Sequence, residues 1–272
     1  MAHTKDLTFL FVTDFHGDET KYEWTLQEAS NLGVNLIVNG GDLCPHGGDP
    51  AFLDTVFADW LKKARHLGIT VMGMFGNDDL KINLDPLDHL EAEGLFTRID
   101  NKTVGRVETG GWKFWGYNFV PDYPFGLKDW VKLDHEGDVR PPQFTHPVLS
   151  TKNGLEEIRD IEKYFRERST IEEDLREITL EDPDHTICVI HTPPHGLGLD
   201  VCANGKEVGS RSVLKFTERE QPLLTLHGHI HESPQVSGTW QAAIGRTTAL
   251  QPGQEPIKVT VSHQGVTASY LR

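Results

Sequence analysis

The sequence has little cysteine and no long apolar run. Its three cysteines, Cys44, Cys188 and Cys202, form no C-x-x-C pair. An odd number of cysteines in a chain of 272 residues does not indicate a disulfide framework. The first apolar run, residues 7–12, is followed almost at once by Asp14, and it is too short for the core of a signal peptide or for a membrane span. We therefore expect a protein of the reducing cytoplasm without a membrane anchor.

Positive charge is also scarce. The chain has 26 Lys and Arg against 41 Asp and Glu, which gives a net charge of −15 at pH 7. No run of Lys and Arg forms a basic patch, and so acidic a surface repels a polyanion, so we do not expect non-specific binding of nucleic acid. A small phosphate ester, including a nucleotide, is still compatible with this charge, because a bound metal ion can attract what the surface repels.

What the sequence does contain is an alternation of short apolar runs with helical patterns. Six runs rich in β-branched residues predict buried strands; they are residues 7–13, 34–38, 69–75, 112–117, 186–190 and 223–226. The clearest helix is predicted at residues 50–67, which start with Pro50 and are followed by Gly68. This alternation predicts an α/β fold with a largely parallel sheet covered by helices. We expect residues 1–272 to form one domain.

Two segments depart from this alternation. Residues 257–262 and 266–271 alternate apolar and polar side chains around a short turn, which predicts a β-hairpin at a sheet edge. Residues 119–184 begin with Pro and Gly signals and continue into an acidic helical segment from about residue 155 to 178, so we interpret them as an insertion. We expect this helix to pack on the body through one apolar stripe, made of Ile158, Ile161, Phe165, Leu175 and Ile178.

The candidate functional residues follow the predicted strands directly. Five runs end in residues of types that bind metals; these are Asp14 and His16, then Asp42, then Asn77 with Asp78 and Asp79, then His191, and finally His227, His229 and His231. Parallel strands bring their carboxyl ends to one edge of a sheet, where ligands bind in open α/β folds. A single Asp or His at such a place is more often a cap or a turn residue. Five such groups together predict a shared site.

The ligand types favour two divalent cations. Carboxylate, imidazole and amide groups suit Mn, Fe, Zn or Co, and the missing thiolate cluster argues against a structural zinc site. A carboxylate such as Asp42 can bridge two cations. Two ions about 3.5 to 4 Å apart activate a water molecule and neutralise the charge on a phosphoryl group under attack. Hydrolysis of a phosphate ester needs these effects.

Five motifs resemble those of a known family. In order, Asp14-Phe15-His16, Gly40-Gly41-Asp42, Gly76-Asn77-Asp78-Asp79, His191 and Gly228-His229-Ile230-His231 resemble the D-x-H, G-D, G-N-H-D, H and G-H-x-H motifs of the calcineurin-like metallophosphoesterases. The resemblance implies a four-layer α/β/β/α sandwich and a two-metal phosphoesterase. It also implies one cation on Asp14, His16, Asp42 and His231, and a second on Asp42, Asn77, His191 and His229. Residues 251–254 partly match the N-P-G-S that often follows.

The third motif departs from the family at one position. Asp78 stands where the family commonly has a histidine that contacts phosphate and assists the leaving group. An aspartate beside two cations stays ionised, so it is a poor proton donor and repels a dianionic phosphate. With Asp78 at this catalytic position we therefore expect a preference for phosphodiesters, or for substrates whose good leaving groups need little proton assistance. His46 and His195, each four residues after a predicted ligand, are the alternative replacements for the missing histidine, although each also suits a plain surface loop. His227, outside the motifs, is predicted to be a buried, hydrogen-bonded core histidine.

A second class of function is also compatible with the altered motif. A member of this fold that has lost efficient catalysis can serve as a metal-binding scaffold or interaction protein. A nucleophilic hydrolase is disfavoured, because the sequence has no G-x-S-x-G elbow and neither Cys44 nor Cys202 has a recognisable paired base. Pro45 occupies the position at which purple acid phosphatases have a tyrosine ligand, so no tyrosinate–iron chromophore is expected.

Overall fold

The first of two large sheets combines parallel strands with a C-terminal hairpin. The computed structural model describes residues 5–99 and 107–271. From edge to edge this sheet contains β16 (Gly265–Tyr270), β15 (Ile257–Ser262), β1 (Leu7–Val12), β2 (Leu36–Asn39), β3 (Thr70–Gly73) and β4 (Thr97–Arg98). β1 to β4 run parallel, whereas β15 is antiparallel to β1 and β16 to β15. The predicted hairpin therefore forms a sheet edge.

The second sheet is built from the later strands. It contains, in order, β13 (Gln241–Ile244), β14 (Thr247–Leu250), β12 (Leu224–Leu226), β11 (Thr186–Ile190), β6 (Trp112–Tyr117) and β5 (Val107–Thr109). The four inner strands are parallel, and the two outer strands are antiparallel to their neighbours. Six of these parallel strands, β1, β2, β3, β6, β11 and β12, are the runs that the sequence predicted, with ends shifted by a few residues, whereas β4 and β14 were not predicted.

Helices cover the outer face of each sheet. The first sheet is covered by α1 (Glu19–Leu32), α2 (Pro50–Phe52), α3 (Ala58–His66) and α4 (Leu84–Ala92), and the second by α6 (Ile171–Arg176) and α7 (Arg211–Glu220). The helix predicted at residues 50–67 is present, but a π-helical turn, Leu53–Phe57, separates α2 from α3. The predicted α/β/β/α sandwich is confirmed. None of the helices in the described ranges is long and apolar enough to cross a bilayer.

The two sheets share a layer of apolar side chains. Phe9 and Phe11 of β1 pack in this layer with Phe114 of β6, and the rings of Phe9 and Phe114 meet edge to face with their centroids 6.2 Å apart. Leu10 and Val12 point to the other face and pack with the helices. Because successive side chains of a strand point to opposite faces, one strand stabilises both layers.

Within residues 119–184, the helix predicted from about residue 155 to 178 does not form as one continuous helix. The segment contains the paired strands β7 (Val120–Pro121) and β8 (Val131–Lys132), and β9 (Val148–Thr151) and β10 (Gly154–Glu157). Two short helices follow, α5 (Ile161–Arg166) and α6. The predicted helix therefore begins in a strand and is broken in the middle. Before β13, a further short helix, α8 (Ser233–Ser237), follows β12.

The break between α5 and α6 has a local cause. The Thr170 side chain accepts a hydrogen bond from the Glu173 backbone, and the Glu173 carboxylate accepts one from the Thr170 backbone, which is a capping box that starts a new helix. The predicted single stripe is consequently wrong. Ile158, Ile161 and Phe165 pack in a cluster within residues 119–184, whereas Leu175 and Ile178 pack against the second sheet.

The inter-sheet layer predicts a large effect of Phe114→Ala. Phe114 is 1% exposed, and truncating a buried phenylalanine costs about 3–5 kcal/mol. Phe144→Ala is the matched control, because Phe144 is 83% exposed and a surface change of this kind costs within about 0.5 kcal/mol. Urea unfolding of both variants measures the two values. Equal losses would contradict the layer arrangement.

Candidate metal centre

Loops after strands of both sheets bring the predicted ligands together. Asp14 and His16 follow β1, and Asp42 follows β2 in the same sheet, whereas His229 follows β12 in the other sheet. The backbone of His16 donates to the Asp42 carbonyl at 2.9 Å. The backbone of His229 donates to Asp14 Oδ1, also at 2.9 Å. The site therefore lies where the strand ends of the two sheets meet.

Asp42 is central in this arrangement. Its Oδ2 lies 3.4 Å from Nε2 of His191 and 3.8 Å from Nε2 of His16. His191 Nε2 is also 3.0 Å from Oδ1 of Asn77. Ligand atoms of Asp14, Asp42 and His191 all lie within 4.8 Å of one another. The Asp42 carboxylate thus lies close to predicted ligands from both sheets.

The histidines have nitrogen atoms that fit a cation. Within the described residues, both ring nitrogens of His16 and Nε2 of His229 are buried without a hydrogen-bond partner, although buried polar atoms are normally paired. Burial lowers the pKa of His16 to about 4 and lowers that of His229 as well. Both rings are therefore neutral at pH 7 and offer lone pairs. Together with the carboxylates and the Asn77 amide, this donor set fits divalent cations.

His191 is oriented by a second hydrogen bond. Its Nδ1 lies 2.9 Å from the Gly40 carbonyl, which can only accept, so Nδ1 carries a hydrogen and Nε2 faces Asp42 and Asn77. Such a backbone carbonyl behind a metal-binding histidine fixes both the ring and its tautomer. His191 is completely buried.

The backbone is strained at four of the predicted ligands. Asp14, His16, Asp42 and His229 have φ angles of 56°, 46°, 54° and 67°. Elsewhere in the described ranges, only Gln221 is a non-glycine residue with positive φ. Each such conformation costs on the order of 1 kcal/mol and persists only where the surrounding structure enforces it. Their concentration at one place indicates a functional site.

Two motif glycines allow the strand-end loops to approach closely. A Cβ atom on Gly76 would lie 2.2 Å from Asp42 Oδ1 and 2.6 Å from His191 Cε1. On Gly228 it would lie 2.4 Å from Asp14 Oδ2. Any side chain at these positions would displace a predicted ligand, so the glycines belong to the geometry of the site.

Asp79 has a structural role that the sequence did not reveal. Its buried carboxylate accepts hydrogen bonds from the backbone N–H groups of Leu43, Cys44 and Gly76, at 3.0, 2.8 and 2.8 Å. It therefore ties the loop after β2 to the loop after β3. The last position of the G-N-D-D motif was the one signal in the sequence that marked this residue.

The segment before β15 braces the site from another side. Gln251 donates from Nε2 to the Ile230 carbonyl at 2.5 Å and accepts from the Gly253 backbone at 2.7 Å. Gln254 donates from Nε2 to the Asp14 carbonyl at 2.8 Å. The partial motif match at residues 251–254 thus corresponds to a physical brace on the loops that carry Asp14 and His229.

Asp78 lies at the edge of the site next to His46. Its side chain is 29% exposed, and its Oδ2 lies 2.6 Å from His46 Nδ1 and 3.6 Å from His16 Nδ1. The His46 ring stacks on that of His16 with centroids 4.1 Å apart. His231 is the more open of the predicted ligands, with a 41% exposed side chain and a ring centroid 5.9 Å from that of His16.

His195 and His227, two further histidines that the sequence singled out without assigning them to a cation, contact other partners. His195 Nδ1 lies 3.2 Å from the Asp200 carboxylate. His227 is buried, with Nδ1 2.9 Å from the Ile190 carbonyl and Nε2 2.8 Å from the Thr225 hydroxyl. It is the hydrogen-bonded core histidine that the sequence predicted.

Two aromatic residues at the site carried no sequence signal. The ring centroids of Tyr123 and Phe125 lie 4.6 and 6.2 Å from that of His229. Both residues come from the segment 119–184, and no motif marks them, because their position depends on how that segment packs against the second sheet.

Comparisons with known proteins agree with this arrangement. Residues 7–233 match the family model described as calcineurin-like phosphoesterase. The structure is similar to the TT1561 protein of Thermus thermophilus, with a TM-score of 0.57, 15% identity and coverage of 98% of this chain and 100% of that one. It is also similar to a dimetal phosphatase from Danio rerio, with a TM-score of 0.53, 10% identity and coverage of 97% and 95%. At these identities the similarity shows the fold alone. No curated protein matches the sequence.

The neighbouring aspartates Asp79 and Asp78 are predicted to differ in their effect on stability. Asp79→Ala leaves three buried N–H groups without an acceptor, which costs about 3 kcal/mol or more at roughly 1–3 kcal/mol each. Asp78→Ala is the control, because its partly exposed contact with His46 contributes about 0–1 kcal/mol. Urea unfolding of the metal-free variants measures the free energies, and similar losses for both would disprove the role given to Asp79.

Proposed function

Because this chain belongs to the calcineurin-like phosphoesterase family, a family of metal-dependent phosphoesterases, we propose that it hydrolyses phosphodiesters with two divalent cations. The proposed ligands are Asp14, His16, Asp42, Asn77, His191, His229 and His231. The observation that carries the two-cation proposal is the position of Asp42, whose Oδ2 lies 3.4 Å from Nε2 of His191 and 3.8 Å from Nε2 of His16.

The ligands divide into two groups around Asp42. One cation would be held by Asp14, His16, Asp42 and His231, and the other by Asp42, Asn77, His191 and His229. The unpaired ring nitrogens of His16 and His229 support this division, because His16 belongs to one group and His229 to the other. The donor types suit Mn, Fe, Zn or Co.

The protein's own contribution is to hold these groups in place. When bound, two cations supply an activated water and stabilise the charge on the phosphoryl oxygens. Asp79 fixes the loops of Asp42 and Asn77, Gln254 fixes Asp14, and the Gly40 carbonyl fixes the His191 ring. Such preorganised support keeps the reacting groups in a productive geometry.

Asp78 supports the preference for diesters. Its carboxylate lies 3.6 Å from Nδ1 of His16, so it adds negative charge at the edge of the proposed cation pair. A phosphomonoester dianion carries more negative charge than a diester and is repelled more strongly. We propose that His46 takes the place of the missing motif histidine at the phosphate, because it contacts both Asp78 and His16. His195 is the weaker candidate, since its ring pairs with Asp200.

The same proposal covers the rest of the chain. We propose that residues 1–272 form one domain of a cytoplasmic enzyme, with residues 119–184 as an insertion that reaches the site through Tyr123 and Phe125. The substrate is proposed to be a small phosphate ester.

Metal content tests the two-cation site and separates an enzyme from a scaffold. We expect two equivalents of metal in the purified protein by mass spectrometry and turnover of bis(p-nitrophenyl) phosphate. Asp42→Asn is expected to retain at most one equivalent and to lower turnover at least about 100-fold. Asp59→Asn is the matched control, because Asp59 is 69% exposed on α3. Unmodified protein that binds no second metal and shows no turnover would favour the scaffold.

The charge at Asp78 is tested by Asp78→His, which restores the family motif. We expect the unmodified enzyme to prefer bis(p-nitrophenyl) phosphate to p-nitrophenyl phosphate, and the variant to shift the ratio of kcat/KM towards the monoester by about tenfold. Asp78→Asn removes the charge without adding an imidazole and separates the two effects. A clear monoester preference of the unmodified enzyme would be incompatible with the proposal.

A further inference from the structure

The proposed metal centre has a polar side and an aromatic side. Asp78 and His46 lie next to His16, whereas Tyr123 and Phe125 lie next to His229. The Tyr123 ring is tilted at 41° to that of His229, and Phe125 meets it at 74°. A phosphate held between the proposed cations would therefore have rings beside it on one side.

The two rings offer apolar contact and no free polar group. The Tyr123 hydroxyl donates to the Val208 carbonyl at 2.6 Å, and burial raises the pKa of this phenol, so Tyr123 is a neutral anchor. Phe125 has no polar atom in its side chain, and it stays partly exposed. Such a pair suits packing against a ring of the substrate.

A buried lysine holds this aromatic pair in place. Lys128 is completely buried, and its Nζ donates to the carbonyls of Tyr123 and Phe125 at 2.9 and 2.6 Å. Asp122 Oδ1 and Gln143 Oε1 also lie within hydrogen-bond distance, both at 2.7 Å, so four acceptors share the three N–H donors of the ammonium. A buried ammonium group is tolerated only when it is paired in this way. The backbone under both rings is thus fixed before any ligand arrives.

Packing within the segment explains only part of this arrangement. Tyr123 and Phe125 contact a cluster that includes Tyr164 and Phe165, and cluster packing alone would account for their apolar character. It does not account for four acceptors gathered around one buried ammonium beneath these rings, nor for rings that remain partly exposed next to His229. Preorganised support of this kind is typical of a binding wall.

We propose that Phe125, backed by Tyr123, is a specificity-determining residue that packs against a planar aromatic group in the alcohol part of the substrate, such as a nucleobase. This inference rests on the phosphodiesterase function proposed above and adds the substrate class. Packing of a base on an aromatic side chain tolerates different bases, so the wall selects for a ring and not for one particular base.

Two methyl diesters that differ only in the base test this inference. They are the methyl ester of thymidine 5′-phosphate and its abasic counterpart, and their hydrolysis is followed by phosphorus NMR. We expect the unmodified enzyme to prefer the thymidine ester in kcat/KM by about tenfold, which lies within the roughly 5- to 150-fold range for one stacked base. The preference should arise from a lower KM for the thymidine ester, with similar kcat values for both esters. Phe125→Ala should bring the ratio close to one, and Phe125→Tyr should preserve it. Phe144→Ala, at an exposed phenylalanine, is the control.

The outcomes separate this inference from the proposed function. Turnover of both esters with no preference, or a preference that Phe125→Ala leaves unchanged, would overturn the aromatic wall and leave the diesterase intact. If neither ester is hydrolysed, the proposed function fails. The wall is then tested by calorimetry with the metal-loaded protein, thymidine 5′-phosphate and deoxyribose 5-phosphate. About tenfold weaker binding of the nucleotide by Phe125→Ala supports the wall, and equal binding rejects it.

Discussion

The contact between Asp42 and His191 is the interaction on which the site depends, because it joins the two sheets. Asp42 comes from the first sheet and His191 from the second, and both are buried. Burial raises the pKa of the Asp42 carboxyl. Burial alone would lower the pKa of His191, but the neighbouring Asp42 carboxylate raises it instead. Each group therefore depends on the other for its charge.

The loops around this pair show how hydrogen bonds offset the backbone strain of the site. Strained backbone at Asp14, Asp42 and His229 is tolerated because hydrogen bonds from several elements hold each loop. Asp79 supports one side and Gln254 another. The sandwich brings the strand ends close together, and hydrogen bonds from the buried polar residues then hold the loops after those strands in position.

Much of this arrangement was visible in the sequence. Apolar runs predicted the strands because a strand buried on both faces is nearly continuous in hydrophobicity, and the motif residues followed those strands. The sequence did not show that Asp79 would bind three backbone groups or that Tyr123 would lie beside His229, since both depend on contacts between distant segments. The prediction that failed was the single helix from about residue 155 to 178. The spacing of its apolar residues suggested one continuous helix, whereas the capping box of Thr170 and Glu173 starts a separate helix there.

The hydrogen bond from Gln254 to the Asp14 carbonyl also limits when, during synthesis of the chain, the site can form. These residues are 240 positions apart in the sequence, and β1, which leads into Asp14, pairs on one side with β15. During synthesis at about 5–20 residues per second, the brace and the sheet neighbour of the Asp14 loop become available only after about 240 further residues have been synthesised. The first of the proposed ligands to be translated therefore acquires its support only after residue 254 has been synthesised, so the proposed centre cannot be complete on a shorter nascent chain.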